Sequence, residues 1–201
     1  MILESTLFST LQFLLAVPAG LLGSALLLRA YAQRIRLHPH NPLSQFLFRL
    51  TDWLVKPLRR AIPGAGGIDW ASILGAWLTA LLLVVLLLAL RSILAGAGIT
   101  LLPGLPTLAM LAVIKIAEWV ISMAMLFILL AALLSWFQLS SPLAYVINDL
   151  VKPLLQPIQR RLPASSGLDF SPLIVLFLLM VAQRMVESAG AYLTPVGTLI
   201  R

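Results

Sequence analysis

The sequence predicts an all-α, polytopic membrane protein with four transmembrane helices, built as two helical hairpins that are parallel repeats of each other. Three observations predict this fold class. First, 61% of the 201 residues are hydrophobic and only 10% are charged, which is more apolar than a soluble domain can cover with polar surface. Second, four segments are long and apolar enough to cross a bilayer. Third, a stretch rich in proline and arginine occurs twice.

The four predicted membrane helices cover residues 7–28, 70–90, 119–137 and 172–192. At about 1.5 Å per residue, each segment reaches roughly the 30 Å thickness of a hydrocarbon core. The second and third segments contain no charged residue. The first contains Pro18, where we expect a kink, and the fourth carries Arg184 and Glu187 near its far end.

An internal repeat divides the chain into two halves. Residues 41–72 align with residues 141–172 without a gap, and the matches include turn residues and charges as well as leucines. The motif consists of Pro57, Arg60, Pro63, Gly67 and Asp69 in the first copy and of Pro157, Arg160, Pro163, Gly167 and Asp169 in the second. We therefore predict a first repeat at 1–100 and a second at 101–201. Because each repeat crosses the membrane twice, both motif loops are expected on one face.

Each repeat carries a polar segment between its two membrane helices. Apolar residues recur there at helical spacing, at Leu43, Phe46, Leu47, Leu50 and Leu54 and again at Leu143, Val146, Ile147, Leu150 and Leu154. We predict an amphipathic interfacial helix in each repeat, with its cations toward anionic lipid headgroups. A helix packed on the protein and never touching lipid fits the same periodicity. Ten of the 14 Lys and Arg residues lie on this side, so the motif loops are predicted to be cytoplasmic and both termini outside.

The motif itself predicts a sharp, basic loop. Pro57 and Pro63, like Pro157 and Pro163, are expected to prevent a regular helix, and Gly67 and Gly167 permit a tight conformation. Asp69 and Asp169 open the next membrane helices, where a carboxylate caps free N–H groups. A second interpretation places the two aspartates with Arg60 and Arg160 in a polar vestibule or a partner-docking surface.

Four charges fall in the third and fourth helices of the second repeat, because the repeat offset of 100 residues starts the third helix near Thr107, ahead of its charge-free segment. Lys115 and Glu118 are spaced i,i+3, as are Arg184 and Glu187, and depth counting places all four in one layer. Pairing is expected, because an unpaired charge in a bilayer is costly. We favour a salt-bridged structural clasp over an ion or proton route. The run 101–114, broken by Pro103 and Pro106, is expected to form an interfacial turn that shortens the third helix.

Several function classes are disfavoured. The chain has no cysteine and only two histidines, so we expect no disulfide, thiol nucleophile, metal site or haem, and no cofactor. We see no nucleophile and base arrangement, so we do not expect an enzyme. The formal charge of +7 is explained by the predicted cytoplasmic loops, and nucleic acid is not expected as a partner.

The second motif, PIQRRLPASSGLDFSP at residues 157–172, follows a membrane helix that ends in LLSWF at residues 133–137. This pattern resembles the bacterial YggT family. The first motif is a weaker copy, since Ala71 and Ser72 replace its Ser-Pro ending. The resemblance implies a small inner-membrane protein associated with osmotic or cation adaptation, membrane-complex biogenesis, cell division or envelope organisation. It implies no residue-level activity.

Two functions remain open at this point. One is a non-enzymatic scaffold or assembly factor, whose loops present a cytoplasmic surface to anionic lipid headgroups or to another membrane, division or biogenesis protein. The other is a potassium or proton channel or transporter component that uses the four membrane charges. Four helices make a thin wall for a pore, so that second function would call for a homo-oligomer.

Overall fold

The computed structural model describes residues 2–37, 41–64, 66–94, 103–137, 142–160 and 171–193. Within these residues the chain forms six α-helices: α1 (Ile2–Arg34), α2 (Pro42–Ala61), α3 (Trp70–Leu94), α4 (Leu105–Trp136), α5 (Pro142–Gln159) and α6 (Ser171–Leu193). In this part of the chain α1, α3, α4 and α6 each contain a stretch long and apolar enough to cross a membrane. The predictions of an all-α fold and of four candidate spans are confirmed at this level.

The chain divides into two compact units, Met1–Trp119 with Ser188–Arg201, and Val120–Glu187. In the first unit, a core that includes Leu26, Val55, Leu83 and Trp119 joins residues of α1, α2 and α3 to the first half of α4. α3 contributes small buried residues to this core, at Ala71, Gly75, Ala76 and Ala80. Small residues let helix backbones approach closely, which suits association of apolar helices.

The second unit has a core of its own. It is formed by Ile128, Ile147, Val151, Leu155 and Val175, with further residues of α4, α5 and α6 packed around them. The repeat boundary between residues 100 and 101 stays a prediction.

The expectation that Pro57 and Pro157 prevent a regular helix was wrong, whereas Pro63 lies beyond the end of α2. Pro57 lies inside α2, and Pro153 and Pro157 lie inside α5, so these helices do not stop at their prolines. A proline inside a helix removes one hydrogen bond at a cost of about 3 kcal/mol. In α2, Leu54 and Leu58 on either side of Pro57 pack against the core, which offsets that loss. α2 ends at Ala61, where the N–H of Ile62 donates to the Leu58 carbonyl at 2.8 Å.

The third membrane helix begins close to Thr107, the start that the repeat offset predicts. α4 begins at Leu105, so the interfacial turn predicted to extend to residue 114 is absent from the described residues 105–114. Pro106 falls in the first turn, where a backbone N–H has no helical partner and proline is tolerated. The Gly104 carbonyl accepts from the N–H groups of Thr107 and Leu108 at 3.0 and 3.1 Å, which starts the helix.

Candidate functional site: a basic cavity between α1 and α2

A buried arginine near the end of α1 organises the site. Arg29 has only 5% of its side chain exposed. One of its terminal nitrogens, Nη1, donates to Thr51 Oγ1 and to Asp52 Oδ1, each at 2.7 Å. The guanidinium also lies over the ring of Phe48, 4.8 Å from its centroid, in a cation–π contact. α1 is thereby fastened to α2 by charge as well as by apolar packing.

Asp69 links this arginine to the start of α3. It is fully buried, and its Oδ2 lies 3.5 Å from Arg29 Nε. Arg59 donates to both carboxylate oxygens. The Ser72 hydroxyl donates to Oδ2 at 2.7 Å, and the Ser72 backbone N–H donates to Oδ1 at 3.3 Å. Asp69 therefore caps α3 and also forms ion pairs with two arginines, Arg29 of α1 and Arg59 of α2.

The two carboxylates of the site are held in their ionised form. For Asp69, burial favours the neutral acid, but hydrogen bonds from Arg59 and Ser72 outweigh it and lower the pKa below its usual value. For Asp52, burial likewise raises the pKa, but hydrogen bonds from Lys56 and Arg29 outweigh this effect and lower the pKa below its usual value. Both groups are charged at neutral pH.

A cavity of about 580 Å³ opens beside these ion pairs. We call it the basic cavity. α1 and the residues just after it contribute one wall, and α2 contributes the other. Its lining consists of Arg29, Ala32, Gln33, Arg36, Leu37, Ser44, Leu47, Phe48, Asp52, Lys56 and Arg59. Cationic and apolar side chains thus share one space.

The outer face of α2 is apolar and exposed. Ser44, Leu47, Thr51 and Val55 of α2 are buried. Phe46, Leu50 and Trp53, at positions i, i+4 and i+7, are 61%, 39% and 65% exposed. The predicted stripe is therefore divided: Leu47 lies against the bundle, and Phe46 and Leu50 lie away from it.

The structure places the predicted motif residues unequally. Asp69 is central to the site, but the arginine of the motif segment that contacts it is Arg59 and not Arg60. Arg60 is the next residue along α2, so it lies about 100° further round the helix, and it is exposed. Gly67 has the left-handed conformation, with φ of 75°, and Pro63 follows the end of α2. Pro157 lies inside α5, and Arg160 is exposed just after that helix. Pro163, Gly167 and Asp169 lie outside the described residues.

Each charged pair of the membrane helices forms within its own helix. Lys115 Nζ lies 2.6 Å from Glu118 Oε2, and both side chains are about one-fifth exposed. Arg184 Nη1 lies 3.3 Å from Glu187 Oε2, and Arg184 is 80% exposed. In the part of the chain that the structure describes, no group of three or more His, Cys, Asp or Glu side chains could hold a metal ion.

Sequence reasoning missed most of the site. Arg29, Gln33, Thr51, Asp52, Arg59 and Ser72 were not proposed. One hundred residues later, the positions of Arg29, Asp52 and Arg59 carry Leu129, Lys152 and Gln159. A search for residues common to both repeats therefore passes over them. The signal available in the sequence was that charged residues of the first repeat are replaced at the equivalent positions of the second.

These observations define a helical protein with four candidate membrane spans and a basic cavity between α1 and α2. The CCB3/YggT family model matches residues 8–90 and 110–189. The chain belongs to this family. A relative from Escherichia coli, named "Uncharacterized protein YggT", is 36% identical over 193 residues, covering 93% of this chain and 96% of its own.

Other relatives agree with this placement. A protein of Vibrio alginolyticus is 33% identical over 168 residues, covering 83% of this chain and 88% of its own. An uncharacterised protein of Pseudomonas aeruginosa is 34% identical over 170 residues, covering 84% and 83%. No solved structure matches the chain.

Proposed function

We propose that this protein is a non-enzymatic scaffold or assembly factor of the bacterial inner membrane, with its motif loops in the cytoplasm and both termini outside. In this role α2 and its basic residues rest on the anionic headgroups of the inner leaflet. A membrane, division or biogenesis protein then docks beside them. The part in envelope organisation and osmotic adaptation follows the family resemblance.

The observation that carries this proposal is the exposed apolar row on α2. Phe46, Leu50 and Trp53 are large, adjacent and exposed on a helix whose opposite side packs on the bundle. Around them lie the exposed cations Arg49, Lys56 and Arg60 on the same helix. An apolar row bordered by cations is the pattern of a helix lying in a membrane interface with anionic lipid.

Crosslinking in living cells tests the proposal. A photoreactive residue at Arg60, at the end of α2, is expected to capture anionic lipid and one recurrent membrane protein. The matched control replaces Leu82, which is 60% exposed in the middle of α3 and should capture only lipid. Capture of neither lipid nor protein from position 60 would contradict the scaffold.

A second candidate is a potassium or proton channel or transporter component. The observation that favours it is the Lys115–Glu118 pair, partly buried within an otherwise apolar stretch of α4. A closed ion pair neutralises itself, however, and supports a structural clasp. Liposomes containing the purified protein are expected to leak potassium and protons no faster than empty ones. Selective flux that is lost in a Lys115→Met/Glu118→Gln variant would replace the scaffold by the channel.

A further inference from the structure

The basic cavity carries more positive charge than its carboxylates balance. Arg29, Arg36, Lys56 and Arg59 line it, and only Asp52 in the lining and Asp69 beside Arg29 oppose them. Four positive and two negative charges leave an excess of two. A cavity with a fixed excess of positive charge attracts anions, and arginine is the residue best suited to hold phosphate oxygens.

The cations at the mouth are placed to receive a ligand. Lys56 is 73% exposed although it contacts Asp52, and Arg59 is 42% exposed although it contacts Asp69. Arg36 is exposed, and no carboxylate among the described residues pairs with it. Deeper in the cavity wall, the Nε–H of Arg29 makes no hydrogen bond.

Arg36 occupies a backbone position that ordinarily belongs to glycine. Its φ is 56°, in the left-handed region, and α1 ends there with two bonds: Arg36 N to the Gln33 carbonyl and Leu37 N to the Ala32 carbonyl. This is the Schellman arrangement, in which glycine is the usual residue at the left-handed position. An arginine in a strained conformation beside a cavity points to a use for its side chain.

The rest of the lining favours an amphiphile over a free ion. Ala32, Leu37, Leu47 and Phe48 give the cavity apolar walls. A volume of about 580 Å³ equals roughly 20 water volumes, far more than a phosphate ion fills. The cavity also lies at the Arg34 end of the candidate span Thr6–Arg34, where a lipid headgroup would sit.

We propose that the basic cavity binds the phosphate group of one anionic phospholipid, with Arg36, Lys56 and Arg59 contacting the phosphate and the apolar wall contacting the glycerol and upper acyl chains. The inference deepens the proposed function and rests on its placement of α2 at the membrane surface. It assigns lipid selectivity to a built site in the first repeat rather than to diffuse surface charge.

Native mass spectrometry of the full-length protein in detergent tests this site. The protein is mixed with equal amounts of phosphatidylglycerol and phosphatidylcholine, and the ratio of the two single-lipid adducts is measured. The wild type is expected to favour phosphatidylglycerol. Since each basic residue near an anionic group strengthens association by a factor of roughly five, Arg36→Gly/Lys56→Gln should lower the ratio by roughly tenfold or more.

Two further variants separate binding from folding and from surface charge. Arg36→Gly alone places the customary residue at the helix end, so it should keep or raise the melting temperature and still reduce the adduct ratio. Arg34→Gln removes an equal charge from an exposed site at the end of α1 that does not line the cavity, and should leave the ratio within about twofold of the wild type.

Each contrary outcome overturns a different statement. A wild-type preference that survives Arg36→Gly/Lys56→Gln overturns the cavity site and leaves membrane-surface binding intact. No preference in the wild type overturns the cavity site and also removes the lipid part of the proposed function. A third experiment adds inorganic phosphate, first to the protein without lipid and then to the protein with bound phosphatidylglycerol. If phosphate raises the melting temperature in the first case and displaces phosphatidylglycerol in the second, the ligand is free phosphate and the lipid assignment fails.

Discussion

Replacing Asp69 with alanine should destabilise the first unit severely. The substitution removes the cap of α3, which typically costs about 1 kcal/mol. It also takes one carboxylate from the buried Arg29. Complete loss of a partner from a buried ion pair costs about 3–5 kcal/mol, and Arg29 keeps Asp52, so we assign about 2–3 kcal/mol to this effect. Arg59, which is 42% exposed, can turn to water at little cost. The expected loss of unfolding free energy is about 3–4 kcal/mol.

Chemical unfolding in detergent micelles, followed by tryptophan fluorescence, measures this loss. Asp69→Asn keeps a good capping residue, so it should lose about 1 kcal/mol less than Asp69→Ala. Asp149→Ala removes a carboxylate from an exposed site on α5 and should change stability by less than about 0.5 kcal/mol. A loss below about 1 kcal/mol for Asp69→Ala, on the scale of an ordinary surface change, would refute the role assigned to this carboxylate.

The remaining predictions concern helix packing and acid stability. Gly23→Ala should lose about 1–3 kcal/mol in the same unfolding assay, because a Cβ there would overlap the ring of Trp119. Gly20→Ala is the matched control, since its Cβ would lie 3.5 Å from Trp119 Nε1, an ordinary contact; equal losses in the two variants would contradict the packing described. Folding lowers the pKa of Asp52 and of Asp69, so their stabilising contribution is complete above the unfolded pKa of about 4 and is lost as pH falls through the lower folded values. Melting temperatures between about pH 5 and pH 2 should therefore fall more steeply for the wild type than for Asp69→Asn, and parallel curves would count against the lowered pKa.

The features that the sequence predicted correctly are those set by composition and length. Four apolar runs predict four candidate spans, because each run is long enough to form a helix of about 30 Å and an apolar helix of that length has few places other than a membrane core. The helix ends were harder to predict. Pro57 and Pro106 carry the same local signal, yet Pro57 lies inside α2 and Pro106 lies in the first turn of α4. Only the packing of Leu54 and Leu58, or the position in the first turn, distinguishes them.

The candidate site was mostly unpredictable for a different physical reason. Asp69 was identified because it recurs in both motifs, but its partners come from three helices, and one of them, Arg29, is remote from it in sequence. Whether Arg59 or Arg60 contacts that carboxylate depends on the rotation of α2 about its own axis. That rotation is known only from the structure, which shows which residues of the helix are buried and which are exposed. Arg29 was one of the ten basic residues predicted on the side of the motif loops, and the residues next to it in the sequence do not indicate that it is buried.

Single-cysteine labelling of the two motif loops tests the central claim most directly. The chain has no cysteine, so Arg60→Cys and Arg160→Cys each introduce one thiol at an exposed residue near the end of α2 and of α5. We predict that a membrane-impermeant reagent added outside intact cells labels neither thiol, and that both react once the inner membrane is opened. Labelling of either position in intact cells would place that loop outside and contradict the shared cytoplasmic face.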